Sequence, residues 1–248
     1  MTLWKRQTAE ANQKRSESYR KTGSVKKLNG HKKERIFAES FSGEDIKGTK
    51  KPDVLTPKYG YVSVKGAAKL QLAMYVTDRL ISDLGKDHPY TKSAIAQREY
   101  YEDRHYNNGK NQDRLHAQAY KMNEELTLWL NKDNNFVKLL DYVMTNNGEV
   151  DYLADMWGTR NSYVYMTSMN DVLEAVKNSN PIAKVTPAGL RVSVSIELPS
   201  GDRRTAFSLE VRSDIKKCKS ILFKAESKWF LAELIRNDKG CTKLPIDK

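Results

Sequence analysis

Long apolar runs and cysteine pairs are scarce in this sequence of 248 residues. It contains no run of about 18 apolar residues, and the first residues lack the apolar stretch of a signal peptide. We therefore expect an intracellular protein of cytoplasmic type, with no membrane contact. The two cysteines, Cys218 and Cys241, are too few and too far apart for a disulfide scaffold or a zinc cluster. Any catalytic metal is then expected to have oxygen ligands.

Several catalytic motifs are also missing. The sequence has no Gly-rich phosphate loop, HExxH, GxSxG or EF-hand pattern, which removes the NTPase, zincin, serine-hydrolase and calcium-loop interpretations. What the chain has in excess is positive charge. Lys and Arg number 43 against 31 Asp and Glu, which gives a net charge of +12. A field of this sign attracts phosphate polyanions, so nucleic acid is the expected partner.

The positive charge is concentrated near the start of the sequence. Residues 1–33 contain ten Lys or Arg and only two acids, Glu10 and Glu17. Residues 1–30 are therefore interpreted as a basic N-terminal arm, which either clamps the DNA backbone or is a solvated tail.

The pattern after the arm predicts a helix, a hairpin and a second helix. The first helix is expected from His31 to Phe41, and the two strands at Pro52–Leu55 and Tyr61–Lys65. A turn at residues 57–60 joins these strands, because its Pro and Gly suit a tight reversal. Apolar residues at helical spacing then predict a helix from Ala67 to Leu84.

The remaining sequence is helical in its middle and β-rich at its end. Residues 91–145 are helical in pattern, Ser162–Met166 predicts a strand followed by a short helix, and three further strands fall between residues 191 and 226 before a helix around Trp229–Ile235. The expected fold class is α/β (α+β), with a mixed central sheet and flanking helices. We expect a core at residues 31–180 with a helical insertion at about 90–147, and a β-rich, DNA-contacting region at residues 181–248.

The chemistry is carried by Pro52-Asp53, followed by Ser63-Val64-Lys65 on the next strand. Phosphodiester hydrolysis requires a carboxylate that holds Mg²⁺ against the phosphate, and a nearby Lys that orients water or stabilises negative charge. Residues two apart on a strand share a face, so Ser63 and Lys65 are expected to project together toward Asp53.

This pattern resembles the PD-(D/E)XK nucleases, and among them the type II restriction endonucleases. The resemblance covers residues 30–84, about a fifth of the chain. It implies a core of mixed sheet and flanking helices, a Mg²⁺-dependent endonuclease acting on double-stranded DNA, a homodimer, a metal ligand at Asp53, and Lys65 beside it. The sequence departs from the family at Ser63, where the motif usually has Asp or Glu.

Two further acids are candidate site residues beside Asp53, and the first would replace the missing carboxylate. Some type II restriction endonucleases that have Ser-x-Lys take an acid from the following helix, and Asp78 is 13 residues after Lys65. Glu34 is the second candidate, since it shares a helix face with Phe37 and Phe41, whereas Glu39 is expected to face water. Two acids in the next loop, Glu44 and Asp45, remain possible substitutes. The metal ligands are thus predicted as Asp53, Asp78 and Glu34.

A second basic concentration falls in the β-rich region. Arg suits the recognition of guanine in the major groove. The predicted DNA-binding residues are Arg203, Arg204, Arg212, Lys216 and Lys217.

Two other motifs and two other functions are alternatives to this interpretation of the sequence. Asp103-Arg104-His105 faintly resembles the ββα-metal nucleases, but these residues lie in helical sequence. Asp202 with Glu210-Val211-Arg212 echoes the PD motif, yet Arg rarely replaces the Lys, which favours a structural role. The chain as a whole is alternatively a non-catalytic DNA- or RNA-binding protein, or a repair, recombination or phage nuclease of the same superfamily.

Overall fold

The structure is a computed structural model, and it describes residues 30–46, 52–146, 148–212 and 220–246. The helices are α1 (residues 30–40), α2 (Thr77–Leu84), α3 (Pro89–Tyr106), α4 (Gln112–Leu130), α5 (Asn135–Thr145) and α6 (Met169–Asn178), and a π-helical turn (Lys228–Leu234) continues into a 3₁₀ turn (Ile235–Asn237). The strands are β1 (Glu44–Asp45), β2 (Val54–Thr56), β3 (Gly60–Lys65), β4 (Lys69–Val76), β5 (Tyr152–Asp155), β6 (Tyr163–Ser168), β7 (Ile182–Val185), β8 (Arg191–Glu197), β9 (Arg203–Val211), β10 (Ser220–Glu226) and β11 (Thr242–Pro245).

These strands form two sheets. The mixed sheet has the order β1-β2-β3-β5-β6-β11, and only the β3–β5 pair within it is parallel among the described strands. The antiparallel sheet has the order β4-β10-β9-β8-β7. The expectation of a mixed α/β fold with a mixed sheet is confirmed at this level.

Two hydrophobic cores hold the fold together. The smaller core lies between α1 and one face of the mixed sheet, where Phe37 packs with Val62 and Val64. The larger core joins helices α2–α6 and the antiparallel sheet, and it reaches the mixed sheet through Leu153 of β5. Helix α6 contacts β5 and β6, so helices flank both faces of the mixed sheet.

Most of the local predictions agree with the structure. The first helix, the hairpin strands, the breaks near residues 107–109 and 134–135, and the strand–helix unit after residue 162 are confirmed. The three late strands are present, and the terminal helix is π-helical. In the hairpin turn Gly60 adopts a φ of +64°, and a Cβ there would overlap the Asp151 carboxylate. Glycine therefore fits this turn better than any other residue.

The predicted helix from Ala67 to Leu84 is wrong. Its first half is the strand β4, whose residues pair with β10, and only Thr77–Leu84 is helical. Burial along β4 alternates as in a strand, with one change of phase between Leu72 and Ala73, where the register with β10 is irregular: Leu70, Leu72, Ala73 and Tyr75 are buried, whereas Val76 is 49% exposed. The pairing partner lies about 150 residues away in the sequence, and this tertiary contact overrides the local pattern.

Both sheets combine strands from the two sides of residue 180. Strand β4 belongs to the antiparallel sheet with β7–β10, and β11 returns to pair with β6 in the mixed sheet. Within the described ranges, no helix has the length and apolar character needed to cross a bilayer.

Candidate active site

The carboxylate of Asp53 meets the side chains of the neighbouring strand β3. Its Oδ2 accepts hydrogen bonds from the Ser63 hydroxyl at 3.1 Å and from the Val64 amide N–H at 2.7 Å. The ammonium of Lys65 lies 3.2 Å from the same oxygen. The structure therefore brings Asp53, Ser63 and Lys65 together, as the strand periodicity predicts.

The hairpin determines this convergence. Strands β2 and β3 are antiparallel, with Val54 opposite Val62, and the Asp53 amide N–H donates to the Val62 carbonyl at 2.9 Å. Val62 and Val64 pack in the core beneath α1, which directs Ser63 and Lys65 to the opposite face of the sheet.

Among the described residues, the partners of the Asp53 carboxylate all bind the same oxygen. Each hydrogen bond found to this carboxylate within the described residues goes to Oδ2, so Oδ1 has no partner there. The side chains of Asp53 and Lys65 keep 22% and 17% of their exposure. Oδ1 thus remains available to a ligand that enters from solvent.

Asp53 and Lys65 line one end of an open cleft of about 510 Å³. The other walls are β4, the start of α2 and the connection between α5 and β5, which contribute Arg79, Asn146 and Glu149. Asn146 donates to the Glu149 carboxylate at 2.5 Å and accepts a hydrogen bond from Arg79. The cleft therefore has Asp53 and Lys65 at one wall, and an acid and an arginine at another. Sequence reasoning missed Glu149, since nothing in its loop marks it.

Neither Asp78 nor Glu34 lines this cleft. Asp78 lies in the first turn of α2, its side chain is 89% exposed, and its nearest cation is Arg98 at 4.0 Å. It follows a strand rather than occupying the middle of a helix, so the spacing argument that selected it does not hold. Glu34 is partly buried on α1 and its carboxylate is 2.8 Å from the His31 ring. Glu39 is exposed, as predicted.

A third group of charged residues lies at the ends of β3 and β5. Asp155 is opposite Lys65 in the parallel register, is fully buried, and accepts a hydrogen bond from Arg236 at 2.8 Å. Burial raises the pKa of Asp155, and the hydrogen bond from Arg236 opposes this shift. Lys33 of α1 donates to the carbonyls of Gly66 at 3.0 Å and Met156 at 2.8 Å. Burial lowers the pKa of Lys33, and the charge of Asp155 opposes that change.

Sequence analysis missed this group, although one signal was present. Asp155 stands inside the mostly apolar run Tyr-Leu-Ala-Asp-Met-Trp, and an acid in such a run is usually buried and paired.

Of the predicted DNA-binding residues that the structure describes, none lines the cleft, although Arg212 contacts Met74, which does. Arg203 and Arg204 begin β9 and are paired with Glu197 at 3.5 Å and Asp202 at 3.2 Å. Arg212 follows the end of β9, and its guanidinium approaches the Met74 sulfur. Lys216 and Lys217 lie outside the described residues, as do residues 1–29 of the basic arm. The DNA-binding roles stay predictions.

The two rival motifs have structural roles. Asp103 lies in α3, where its carboxylate accepts hydrogen bonds from Asn111 and Gln112 and so joins α3 to α4. Glu210 is paired with Arg191 and Lys224 across the antiparallel sheet. These contacts favour the structural interpretation of both patterns.

Within the described residues, no three His, Cys, Asp or Glu side chains come together in a group suited to a metal ion. Comparison with models of known protein families and with curated proteins finds no match.

Proposed function

We propose that this chain is a Mg²⁺-dependent endonuclease that hydrolyses phosphodiester bonds of double-stranded DNA, as the type II restriction endonucleases of the PD-(D/E)XK superfamily do. The observation that carries the proposal is the contact between the Asp53 carboxylate and the Lys65 ammonium, 3.2 Å apart on adjacent strands at the wall of an open cleft. The mixed sheet with helices on both faces supports the same assignment.

We propose that Asp53 and Glu149 are the carboxylates that would hold Mg²⁺. This ion keeps several waters and is commonly held by one or two carboxylates together with substrate phosphates, so a cage of three acids is not required. Asp53 offers Oδ1, and Glu149 is the second carboxylate of the same cleft. Bound there, Mg²⁺ would polarise the phosphate and lower the pKa of a bound water.

The residues of the chain have separate tasks in this proposal. The Ser63 hydroxyl and the Val64 amide hold Oδ2, which fixes the orientation of the Asp53 carboxylate. Lys65 orients the attacking water and offsets the negative charge that builds on the phosphate oxygens. The P–O bond to the leaving oxygen breaks as the bond to the water oxygen forms; the attacking water gives up a proton to solvent, and the departing oxygen takes up a proton from solvent. Ser63 contributes position but no formal charge, so Glu149 replaces Asp78 and Glu34 as the proposed second acid.

Plasmid cleavage tests the proposal. Supercoiled DNA is incubated with Mg²⁺ and with EDTA, using the native protein and the variants Asp53→Asn and Lys65→Ala. We expect cutting with Mg²⁺ only, and a loss of about 100-fold or more in each variant, the size typical of losing a group that stabilises the transition state. Asp78→Asn is the matched control, since its exposed carboxylate lies outside the cleft, and we expect it to cut as the native protein does.

Two results decide against the proposal. Undiminished cutting by Asp53→Asn and Lys65→Ala would remove the site assignment, and binding without cutting across varied DNA would favour the non-catalytic nucleic-acid-binding protein. Discrete fragments distinguish a restriction enzyme from a repair or phage nuclease. The homodimer that the resemblance implies is checked by sedimentation of the protein with and without DNA.

A further inference from the structure

A second cleft adjoins the one at Asp53. It has a volume of about 540 Å³, and its walls are α1, the end of β3, the crossing from β3 to β4, and the start of β4. Lys65 and Gln71 line both clefts. The two clefts are therefore neighbours that meet at Lys65 and Gln71.

Among the described residues that line the second cleft, three are lysines, Lys33, Lys65 and Lys69, and none is acidic. The acids that approach these lysines lie outside its walls. Lys69 is 3.3 Å from Glu226, but their side chains are 79% and 44% exposed, so the pair is weak in water. Lys65 meets Asp53, and Lys33 donates its hydrogen bonds to two carbonyl oxygens. The lining thus keeps a net positive character.

The floor of the second cleft is made of small residues. Gly66, Ala67 and Ala68 form the crossing, and a Cβ at Gly66 would lie 2.7 Å from the Lys33 ammonium. Ser227 holds the segment from below, since its amide donates to the Ala68 carbonyl at 3.0 Å and its hydroxyl donates to the Ala67 carbonyl. Because residues 66–68 have small or no side chains and are held by Ser227, they leave space between the lysines for a row of phosphate groups.

We propose that this second cleft binds the phosphodiester backbone of the DNA strand, on the side of the scissile phosphate next to Lys65, with Lys33 and Lys69 contacting successive phosphates. Lysine acts as a point charge for phosphate and carries no base preference. The proposal rests on the proposed function for the position of the scissile phosphate, whereas the binding itself does not depend on cleavage.

Salt-dependent binding tests the cleft separately from catalysis. Fluorescence anisotropy of a labelled duplex of about 20 base pairs is measured in EDTA, where no cutting occurs, over a series of salt concentrations. The slope of log K against log salt is negative, and each lost phosphate contact reduces its magnitude by about 0.9. We expect Lys69→Ala to reduce the magnitude by about this amount, and the double variant Lys33→Ala, Lys69→Ala to reduce it by about twice as much.

The matched control is Lys184→Ala. Lys184 is an exposed lysine on β7, the opposite edge of the antiparallel sheet from β4, and four strand spacings put it about 19 Å away. We expect it to leave the slope unchanged. An equal effect of Lys69→Ala and Lys184→Ala, or no effect of either, would overturn the proposal.

Two further measurements distinguish binding of a DNA backbone in the second cleft from catalysis and from binding of a single phosphate. Binding in EDTA is measured without cleavage, so failure of the nuclease assignment does not affect this result. Inorganic phosphate added at constant ionic strength distinguishes a pocket for one phosphate from a backbone path. Little displacement of DNA supports the path, and strong displacement that depends on Lys69 refutes it. Lys69→Glu, at the same exposed position, should weaken binding further than Lys69→Ala.

Discussion

We expect Gly66→Ala to destabilise the protein, although the backbone conformation of Gly66 is one that alanine can adopt. Its φ lies outside the left-handed region, so alanine is allowed by the main chain. The added Cβ would nevertheless overlap the outer atoms of Lys33, which donates to the carbonyls of Gly66 and Met156. A lysine end swings away easily, so the steric part is small, and the loss comes from the two hydrogen bonds.

The magnitude follows from those bonds. A hydrogen bond from a charged donor contributes about 1.5–3 kcal/mol, but the half-buried ammonium regains water when it leaves, so we take about 2 kcal/mol for the two together. Gly→Ala returns about 0.4–1 kcal/mol by restricting the unfolded chain. We therefore expect Gly66→Ala to lower the free energy of unfolding by about 1–2 kcal/mol.

Urea unfolding followed by tryptophan fluorescence measures this change. Gly30→Ala is the control, because a Cβ at Gly30 would meet nothing closer than the Glu34 carboxylate at 3.8 Å. In a Lys33→Ala background the clash and the hydrogen bonds are both gone, so Gly66→Ala should add no further loss beyond about 0.5 kcal/mol. Full additivity of the two substitutions, or a neutral Gly66→Ala in the native background, would refute the reasoning.

Two further stability predictions follow from buried polar groups. Arg236→Met should lower the free energy of unfolding by about 3–5 kcal/mol, because it leaves the Asp155 carboxylate buried without its cation. Removing Arg236 raises the pKa of Asp155 further in the folded state, so the loss should shrink as pH falls and the buried carboxylate takes up a proton, and a loss independent of pH would contradict this. Asn123→Ala should lower the free energy of unfolding by about 3 kcal/mol, because fully buried Asn123 bonds Ser93, Gln97 and the Gly189 carbonyl. For Asn123 the control is Gln118→Ala, an exposed position on the same helix, and equal losses for the two would show that the buried network contributes nothing.

One activity prediction concerns the second acid. Glu149→Gln should weaken both cleavage and the binding of Mn²⁺ measured by calorimetry, by about tenfold each, and Asp78→Asn should change neither. A larger loss in Asp78→Asn than in Glu149→Gln would instead identify Asp78 of α2 as the second carboxylate.

The hairpin and its site were predictable because their signals are local. The turn ending in Gly60 fixes the β2–β3 register, and once the register is set, the twofold period of a strand places Ser63 and Lys65 on one face. Helices α3, α4 and α5 were predictable for the same reason, because Asn and Gly residues mark the breaks between them in the sequence.

Residues 69–76 could not be predicted, since their conformation depends on a distant partner. Lys-Leu-Gln-Leu-Ala-Met-Tyr-Val contains good helix formers, and pairing with β10 decides the outcome. The error at β4 displaced Asp78 from its expected place in mid-helix. The position of Glu149 could not be predicted either. Glu149 shortly precedes β5, and the parallel pairing of β5 with β3 brings that part of the chain to the cleft.

The interleaving of the two sheets has a consequence for assembly of the chain. Strand β3 pairs with β5, about 90 residues later, and β4 pairs with β10, about 150 residues later. Together with the pairing of β6 and β11, these are the contacts that join the described strands into two sheets, and they can form only after long loops close. Fragments divided at residue 180 would each carry unpaired edges, β4 and β6 in one and β10 and β11 in the other. We expect such halves to be insoluble when expressed singly and to regain structure only when they are produced together, with folding that is slow for a protein of this size.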